Sequence, residues 1–265
     1  MTAKKMILRL LPAFLLMMTL VSSGLAFPPA KQMYYEVKIY RLKDTGKAAI
    51  IDSYLKEAFI PAMHRAGIST VGVFKPVEAD TAFGKMVYVF VPYKTADQYF
   101  KVAEILENDQ LYHQAGKEFL DAPYNDAPYM RYESIFLKAF SFMPQFKTFT
   151  YNTPPSERIY ELRSYESSTD VKALNKIKMF NEGGEIAIFE KVGSNAVFYG
   201  QVLFGSKKPR LMYLTTYADM KSHDDHWNAF RNHPDWLSLK AMEEYKNNTS
   251  KTAAFLCHPT DYSDF

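Results

Sequence analysis

Cysteine is nearly absent from this sequence, which contains Cys257 as its one cysteine among 265 residues. A single cysteine cannot form an intrachain disulfide, so the fold must be stabilised by its core. Apolar side chains are plentiful enough for that, because 48% of the residues are hydrophobic. Cys257 ends the apolar run 253–257, where we expect a buried structural thiol.

An excess of basic charge is also missing once the N-terminus is set aside. The whole chain has 32 Lys and Arg against 29 Asp and Glu, but residues 1–26 hold three basic residues and no acidic one. The remainder therefore carries 29 residues of each sign. Nucleic acids and anionic membrane surfaces are bound by sustained basic surfaces, so neither is expected as a partner.

Motifs with a defined chemistry are lacking as well. The sequence contains no glycine-rich phosphate loop, no paired-cysteine metal site and no nucleophile elbow. We therefore predict no cofactor and no bound metal, and the sequence leaves open whether the protein is an enzyme.

The N-terminus has the pattern of a secretory signal peptide. Basic residues precede or interrupt an apolar run at 7–21, and small residues then lead to a cleavage position after Ala26. The run is broken by Arg9 and Pro12, and it is short for a membrane span, which needs ~20 apolar residues. We predict that 1–26 is a signal peptide, that the protein is secreted or periplasmic, and that it has no membrane span after cleavage.

A repeat is the main feature that the sequence does contain. Segment 35–40 (YEVKIY) returns as segment 160–165 (YELRSY) at an offset of 125 residues, and Tyr213 lies at the same offset from Tyr88. Both segments alternate bulky and charged side chains, as half-buried strands do. The apolar patterns around each copy follow the order strand, helix, strand, strand, helix, strand, which is the ferredoxin-like order.

We therefore predict an α+β protein with two tandem ferredoxin-like (βαββαβ) domains, at residues 33–140 and 157–265. A proline-containing linker at 141–156 joins them. The two sheets would pack face to face as an intramolecular dimeric αβ-barrel, whose interior could hold a small ligand or be filled with side chains. Either a monomer or a homodimer is compatible with this architecture.

Local signals place several helix ends. Thr95, Thr169 and Ser222 are predicted N-caps. Pro61 is predicted to kink or end the first helix, which begins near Thr45.

Several weak motifs, in the same order along the chain, resemble the NIPSNAP family. They are the segments 158–165, 198–200 with the downstream Gly205, 211–214, 227–236 and 259–263. The resemblance covers residues 157–265 and extends more weakly over 33–140, where tryptophan is absent. It implies a dimeric αβ-barrel fold but no particular reaction, and the signal peptide favours a bacterial exported member.

The densest cluster of reactive side chains is at 222–236. His223 and His226 are three residues apart and can share a helix face, where they could bind a metal with a carboxylate or serve as acid and base. The competing interpretation is structural, because Asp224 suits the first turn of a helix, Trp227 suits a core, and His233 suits a cap. The first repeat has no counterparts of these histidines, which favours a specialised role.

The candidate catalytic residues are His226, His223 and Arg163. The candidate ligand-binding residues are His226, Trp227, His233, Trp236 and Tyr262. Arg163 could face the barrel interior and bind an anionic ligand, or pair with a neighbouring acid. Tyr262 belongs to a polar tail that could cover a barrel mouth or simply be anchored there.

Two functional hypotheses follow. The first is an exported, non-catalytic protein that binds a small molecule or a partner protein. The second is a cofactor-independent or metal-assisted enzyme, such as an oxygenase or isomerase, that acts in the barrel cavity.

Overall fold

The fold is built on eight antiparallel strands that close into a barrel, with helices packed around it. The computed structural model describes residues 30–43 and 45–265, so the predicted signal peptide lies outside the described residues. The α+β class is confirmed. The strands are β1 (Tyr34–Arg41), β2 (Gly72–Pro76), β3 (Met86–Tyr93), β4 (Arg131–Ala139), β5 (Ile159–Glu166), β6 (Asn195–Phe204), β7 (Arg210–Tyr217) and β8 (Lys251–Pro259).

The strand order around the barrel is β1-β3-β2-β8-β5-β7-β6-β4. The first half of the chain (β1 to β4) contributes the order β4-β1-β3-β2, and the second half (β5 to β8) contributes the matching order β8-β5-β7-β6. The halves are joined where β2 pairs with β8 and where β4 pairs with β6. Each of these strands therefore has two neighbours, and the barrel has no open sheet edge.

The helices form the outer layer of each half. They are α1 (Ala48–Ser53), α2 (Ile60–Arg65), α3 (Ala96–Glu107), α4 (Gln110–Ala115), α5 (Lys117–Leu120), α6 (Asp170–Asn181), α7 (Glu185–Lys191), α8 (Met220–Asn232) and α9 (Pro234–Ala241). In the part of the chain that the structure describes, no helix is long and apolar enough to span a bilayer.

The helix starts agree with the sequence at two of three positions. Thr95 and Thr169 accept hydrogen bonds from backbone N–H groups of the first turns of α3 and α6, as predicted. Ser222 is not a cap, because α8 begins at Met220 and the Oδ1 atom of Asp219 accepts the N–H of Ser222 at 2.6 Å. The sequence analysis named Ser222 alone as the cap, and the helix start lies about one turn earlier than predicted.

Pro61 does not end the first helix. One π-helical turn, Tyr54–Phe59, connects α1 to α2, and the N–H of Ile60 bonds to the carbonyl oxygen of Leu55. Pro61 then lies in the first turn of α2, directly after this π-helical turn, and the helical path continues through it.

The barrel interior is a packed core. Alternate residues of the strands fill it, including Tyr35, Phe90, Tyr160 and Phe198. The void that remains among these side chains has a volume of about 10 Å³, which is room for one water molecule. Of the two possibilities that the sequence left open, filling by side chains is the one observed. Cys257 belongs to this core and is 1% exposed, so burial raises the pKa of its thiol.

The repeat has a one-residue shift in its third strand. Lys38 of β1 pairs with Val89, and Arg163 of β5 pairs with Tyr213, so the offset there is 124 residues. Tyr88 faces the barrel interior, whereas Tyr213 faces the helices. The sequence alignment of Tyr88 with Tyr213 was therefore wrong, because a shift of one residue moves a side chain to the other face of a strand.

Segment 141–156, which the sequence predicts as the linker, covers one end of the barrel together with the C-terminal tail. The linker runs beside β6, where the N–H of Lys147 bonds to the carbonyl oxygen of Val197 at 2.9 Å. Phe146 of the linker and Phe265 of the tail both contact Phe90 of the interior core, with ring centroids at 6.0 and 5.8 Å. Their rings also lie 6.4 Å from one another, so the two segments close this end together.

Candidate functional site

A cleft of about 380 Å³ lies between the outer face of β5 and the helices of the second half. Strand alternation sends Glu161, Arg163 and Tyr165 outward, because their neighbours on β5 fill the barrel. Helix α8 contributes His223 and Trp227 from the opposite side. The repeated strand therefore provides one wall of the cleft, and the histidine-containing segment provides the other.

Glu161 connects these two walls. Its side chain is buried, Oε1 accepts a hydrogen bond from Nη1 of Arg163 at 2.6 Å, and Oε2 accepts one from Nε1 of Trp227 at 2.6 Å. Nε2 of His223 forms an ion-pair contact with the same Oε2 at 3.4 Å. Burial alone would raise the pKa of Glu161, but His223 and Arg163 outweigh it, and the pKa is lowered. The carboxylate is therefore charged and fully engaged.

His223 is held between two carboxylates. Its Nδ1 lies 2.9 Å from Oδ1 of Asp224, and its ring packs edge-on against Tyr217. Burial alone would lower the pKa of His223, but the contacts with Glu161 and Asp224 prevail and raise it. The imidazole is therefore protonated over a wider pH range than a free histidine.

Arg163 stacks on an indole at the floor of the cleft. Its guanidinium carbon lies 4.5 Å from the ring centroid of Trp227 and 5.6 Å from that of Tyr165, which are cation–π distances. The hydroxyl of Tyr165 is itself hydrogen-bonded to that of Tyr213 at 2.8 Å. Arg163 thus points towards the helices rather than into the barrel, and it pairs with a neighbouring acid.

A second buried ion pair joins α6 to α7 at the edge of the cleft. Nζ of Lys176 donates to Oε2 of Glu185 at 2.7 Å, and neither side chain is more than 6% exposed. Burial raises the pKa of Glu185, although the charge of Lys176 opposes the rise. Since both carboxylates that line the cleft are matched by cations, Arg231 leaves it with an excess of positive charge, to which His223 adds whenever its imidazole is protonated.

Comparison with known proteins identifies this half of the chain. The NIPSNAP family model matches residues 160–264, a stretch that contains every residue lining the cleft. The second half of this chain is therefore similar to the NIPSNAP family. The family resemblance that the sequence indicated for 157–265 is thereby confirmed, and we call β5 to the C-terminus the NIPSNAP half.

Solved structures show the wider fold type. A monooxygenase-like protein from Lactobacillus acidophilus matches with a TM-score of 0.53 at 11% identity, over 86% of this chain and 94% of that one. Another from Fusobacterium nucleatum gives 0.52 at 11% identity, over 86% and 93%. A NIPSNAP-like domain protein from Burkholderia xenovorans gives 0.37 at 18% identity, over 40% and 89%. At 11% identity, the likeness to the first two structures concerns the αβ-barrel fold alone. No curated protein matches this sequence significantly.

The NIPSNAP half brings four of the sequence candidates together in the cleft. They are Arg163, His223, Trp227 and Trp236. The catalytic or binding role that was assigned to each of them stays a prediction.

Three other candidates lie elsewhere. His226 packs against Tyr217, while His233 caps α9 by accepting the N–H of Asp235 at 3.2 Å. Tyr262 donates its hydroxyl to Asp52 of the first half at 2.6 Å. Among the described residues, no three histidine, cysteine or carboxylate side chains converge as a metal site would require.

Sequence reasoning missed Glu161, Lys176 and Glu185. Glu161 had a detectable signal, because it lies on the helix-facing side of a repeated strand and has a counterpart in Glu36. Lys176 and Glu185 had none, since they are separated by the helix break at Gly183 and meet through tertiary packing.

Proposed function

We propose that the NIPSNAP half binds a small anionic molecule with an aromatic or apolar body. The observation that carries this proposal is the combination, in one cleft, of excess positive charge with indole rings. Arg163 lies over Trp227 at 4.5 Å, and Trp236 packs against Phe230 nearby. Indole and phenyl faces favour a flat apolar body, and cations favour an acidic group on it.

The size and rigidity of the cleft support binding. Its volume of about 380 Å³ falls within the range of roughly 300–1,000 Å³ that is usual for ligand pockets. Glu161 accepts hydrogen bonds from both Arg163 and Trp227, so the two groups that would face the ligand are positioned before it arrives. Arg231, on the exposed face of α8, is then free to approach the acidic group.

The proposal is tested by titrating the purified protein with benzoate and with benzamide, which have the same ring but differ in charge. Benzoate is expected to bind more tightly. Arg231→Gln should weaken benzoate about two- to fivefold, as for one partly exposed charge contact. The matched control is Lys240→Gln, which removes an exposed cation outside the cleft. Equal binding of both compounds, or equal effects of the two substitutions, would contradict the proposal.

A second candidate function is enzymatic, and it is favoured by the Glu161–His223 pair at the cleft wall. With the barrel interior filled, an isomerase-like reaction would take place in this cleft, with protonated His223 as the general acid. An aromatic 2-oxo acid such as phenylpyruvate is a suitable probe, since its enol and keto forms interconvert by moving one proton from oxygen to carbon. Acceleration that is lost in His223→Gln, with binding retained, supports the enzyme; no acceleration by wild type contradicts it.

We also propose that the chain is an internal pseudo-dimer of two ferredoxin-like domains, at 33–140 and 157–265, with the linker at 141–156. The identical strand order of the halves supports this division. Export through a signal peptide at 1–26 is supported by the composition of that segment. N-terminal sequencing of the exported protein should then begin at Phe27.

A further inference from the structure

The first half of the chain contains a cavity at the position equivalent to the NIPSNAP cleft. We propose that this cavity is a second binding site, and that it takes an uncharged, oxygen-bearing aromatic molecule such as a phenol. The proposal does not depend on the function proposed for the NIPSNAP half.

The cavity has a volume of about 260 Å³ and lies between the outer face of β1 and the helices of the first half. Glu36, Lys38 and Tyr40 line it, as Glu161, Arg163 and Tyr165 line the other cleft, at the offset of 125 residues. The volume is below the usual range for drug-sized ligands, so a single-ring molecule is the appropriate size.

The helix wall of this cavity differs from that of the NIPSNAP half. The N-caps Thr95 and Asp219 are 124 residues apart, so Tyr99 stands in the place of His223. By the same offset Ala103 stands in the place of the indole that covers Arg163. The first half therefore lacks the imidazole, and its cavity is lined mainly by tyrosine and other uncharged side chains.

The cavity carries no net charge. Glu36 is 1% exposed and accepts hydrogen bonds from Tyr93 at 3.1 Å and from Ser134 at 2.5 Å, and Nζ of Lys38 lies 2.9 Å from its Oε1. Glu36 and Lys38 cancel, and the other residues that line the cavity are uncharged. An anion therefore gains little here, in contrast to the positively charged cleft of the NIPSNAP half.

The hydroxyl of Tyr40 is available to form a hydrogen bond with a ligand in this cavity. Its counterpart Tyr165 is hydrogen-bonded to Tyr213, but the one-residue shift in the third strand puts Val89 in the place of Tyr213. Tyr40 is 4% exposed, and its hydroxyl has no hydrogen bond to any residue that the structure describes. The hydroxyl oxygen is not sealed in the core but is open to the cavity, where a ligand oxygen can bond to it in place of water.

Lys38 adds a second polar group to the same space. Its ammonium has three N–H donors, and Glu36 engages it through one carboxylate oxygen. The rings of Phe59 and Tyr132 flank Nζ, with centroids at 5.9 and 5.8 Å. The ammonium is also near enough to Tyr40 to oppose the rise that burial causes in the pKa of that tyrosine. Two polar groups thus converge in an otherwise aromatic cavity, as recognition of a phenol requires.

The test is a titration of the purified protein with 4-methylphenol, which is uncharged at pH 7, and in parallel with benzoate. Wild type is expected to bind 4-methylphenol. Tyr40→Phe should weaken that binding about two- to tenfold, as for the loss of one neutral hydrogen bond. Tyr165→Phe is the matched control, because it makes the same change in the other half, and it should leave 4-methylphenol binding unchanged.

A second variant tests the location without touching Tyr40. Ala103 is exposed on α3, so Ala103→Trp can place an indole over the cavity, as in the NIPSNAP half, without disturbing the core. It should abolish 4-methylphenol binding and leave benzoate binding intact, which separates this site from the one proposed in the NIPSNAP half. Absence of 4-methylphenol binding in wild type, or binding that both Tyr40→Phe and Ala103→Trp leave unchanged, would overturn the proposal.

Discussion

Removal of one partner from the Lys176–Glu185 ion pair is expected to destabilise the NIPSNAP half strongly. Both side chains are almost completely buried, and they lie 2.7 Å apart on successive helices. Lys176→Met removes the cation while keeping an unbranched apolar side chain. Glu185 is then left as a buried carboxylate without its partner, which costs roughly 3–5 kcal/mol of unfolding free energy. For a chain of this size, that loss corresponds to a fall in Tm of roughly 6–20 °C.

The assay is urea denaturation followed by circular dichroism, with the same measurement on two further variants. Lys176→Met/Glu185→Leu removes both charges and should recover most of the lost stability, because no unpaired charge remains. Lys178→Met is the matched control on the same helix. Its partner Glu244 is similarly close, at 2.6 Å, but both side chains are about half exposed, so little change is expected.

The pH dependence separates a buried charge from a packing defect. The pKa of Glu185 is raised by burial, and without Lys176 the rise should be larger. The penalty in Lys176→Met is therefore complete above the folded-state pKa, and it shrinks as pH falls towards the unfolded value of about 4.5. A stability loss that is independent of pH, or a double variant no more stable than the single one, would refute this reasoning.

Three further perturbations follow from the structure. Phe198 lies inside the barrel at 0% exposure. Phe198→Ala should lower the free energy of unfolding by about 3–5 kcal/mol, measured by calorimetry, because the closed interior cannot collapse onto the cavity. A loss near zero would show that the interior is not tightly packed. Asp219→Ala should lower the thermal stability and Ser222→Ala should not, since Asp219 is the cap of α8; the reverse result would restore the sequence assignment. His223→Gln should remove a stabilisation that the ion pair with Glu161 gives to wild type. Wild type has this stabilisation in full below pH ~6.5 and loses it as pH rises through the raised folded-state pKa of His223. A stability difference between wild type and variant that grows with pH would contradict the Glu161–His223 pair.

The architecture could be predicted largely from local pattern. The alternation in 35–40 and 160–165 indicates strands that are buried on one face, and the element order around them leads to the ferredoxin-like pattern. Closure of the barrel was less accessible, because the β2–β8 and β4–β6 pairings join segments that are far apart in sequence and carry no local signal. The alignment of Tyr88 with Tyr213 failed for a related reason. Two tyrosines that are separated by the repeat offset can still face opposite sides of their strands, and the sequence does not show which side each one faces.

The candidate site was predictable in its residue types and less so in its geometry. The cluster 222–236 drew attention to His223, Trp227 and Trp236, which do line one cleft. Helical spacing alone could not separate His223 from His226, because which of two neighbouring positions faces the sheet depends on how α8 is rotated against it. The role of Glu161 emerges only when β5 and α8 are brought together, as its partners come from two distant segments.

Joining both halves of the barrel in one chain has a consequence for how its two clefts can change. In a barrel made from two identical subunits, every substitution appears twice, once in each cleft. Here a substitution at Lys38 leaves Arg163 untouched, so the two clefts can diverge in charge and shape independently. Closure of the barrel is also intramolecular, so that it should not weaken on dilution as the association of separate subunits would.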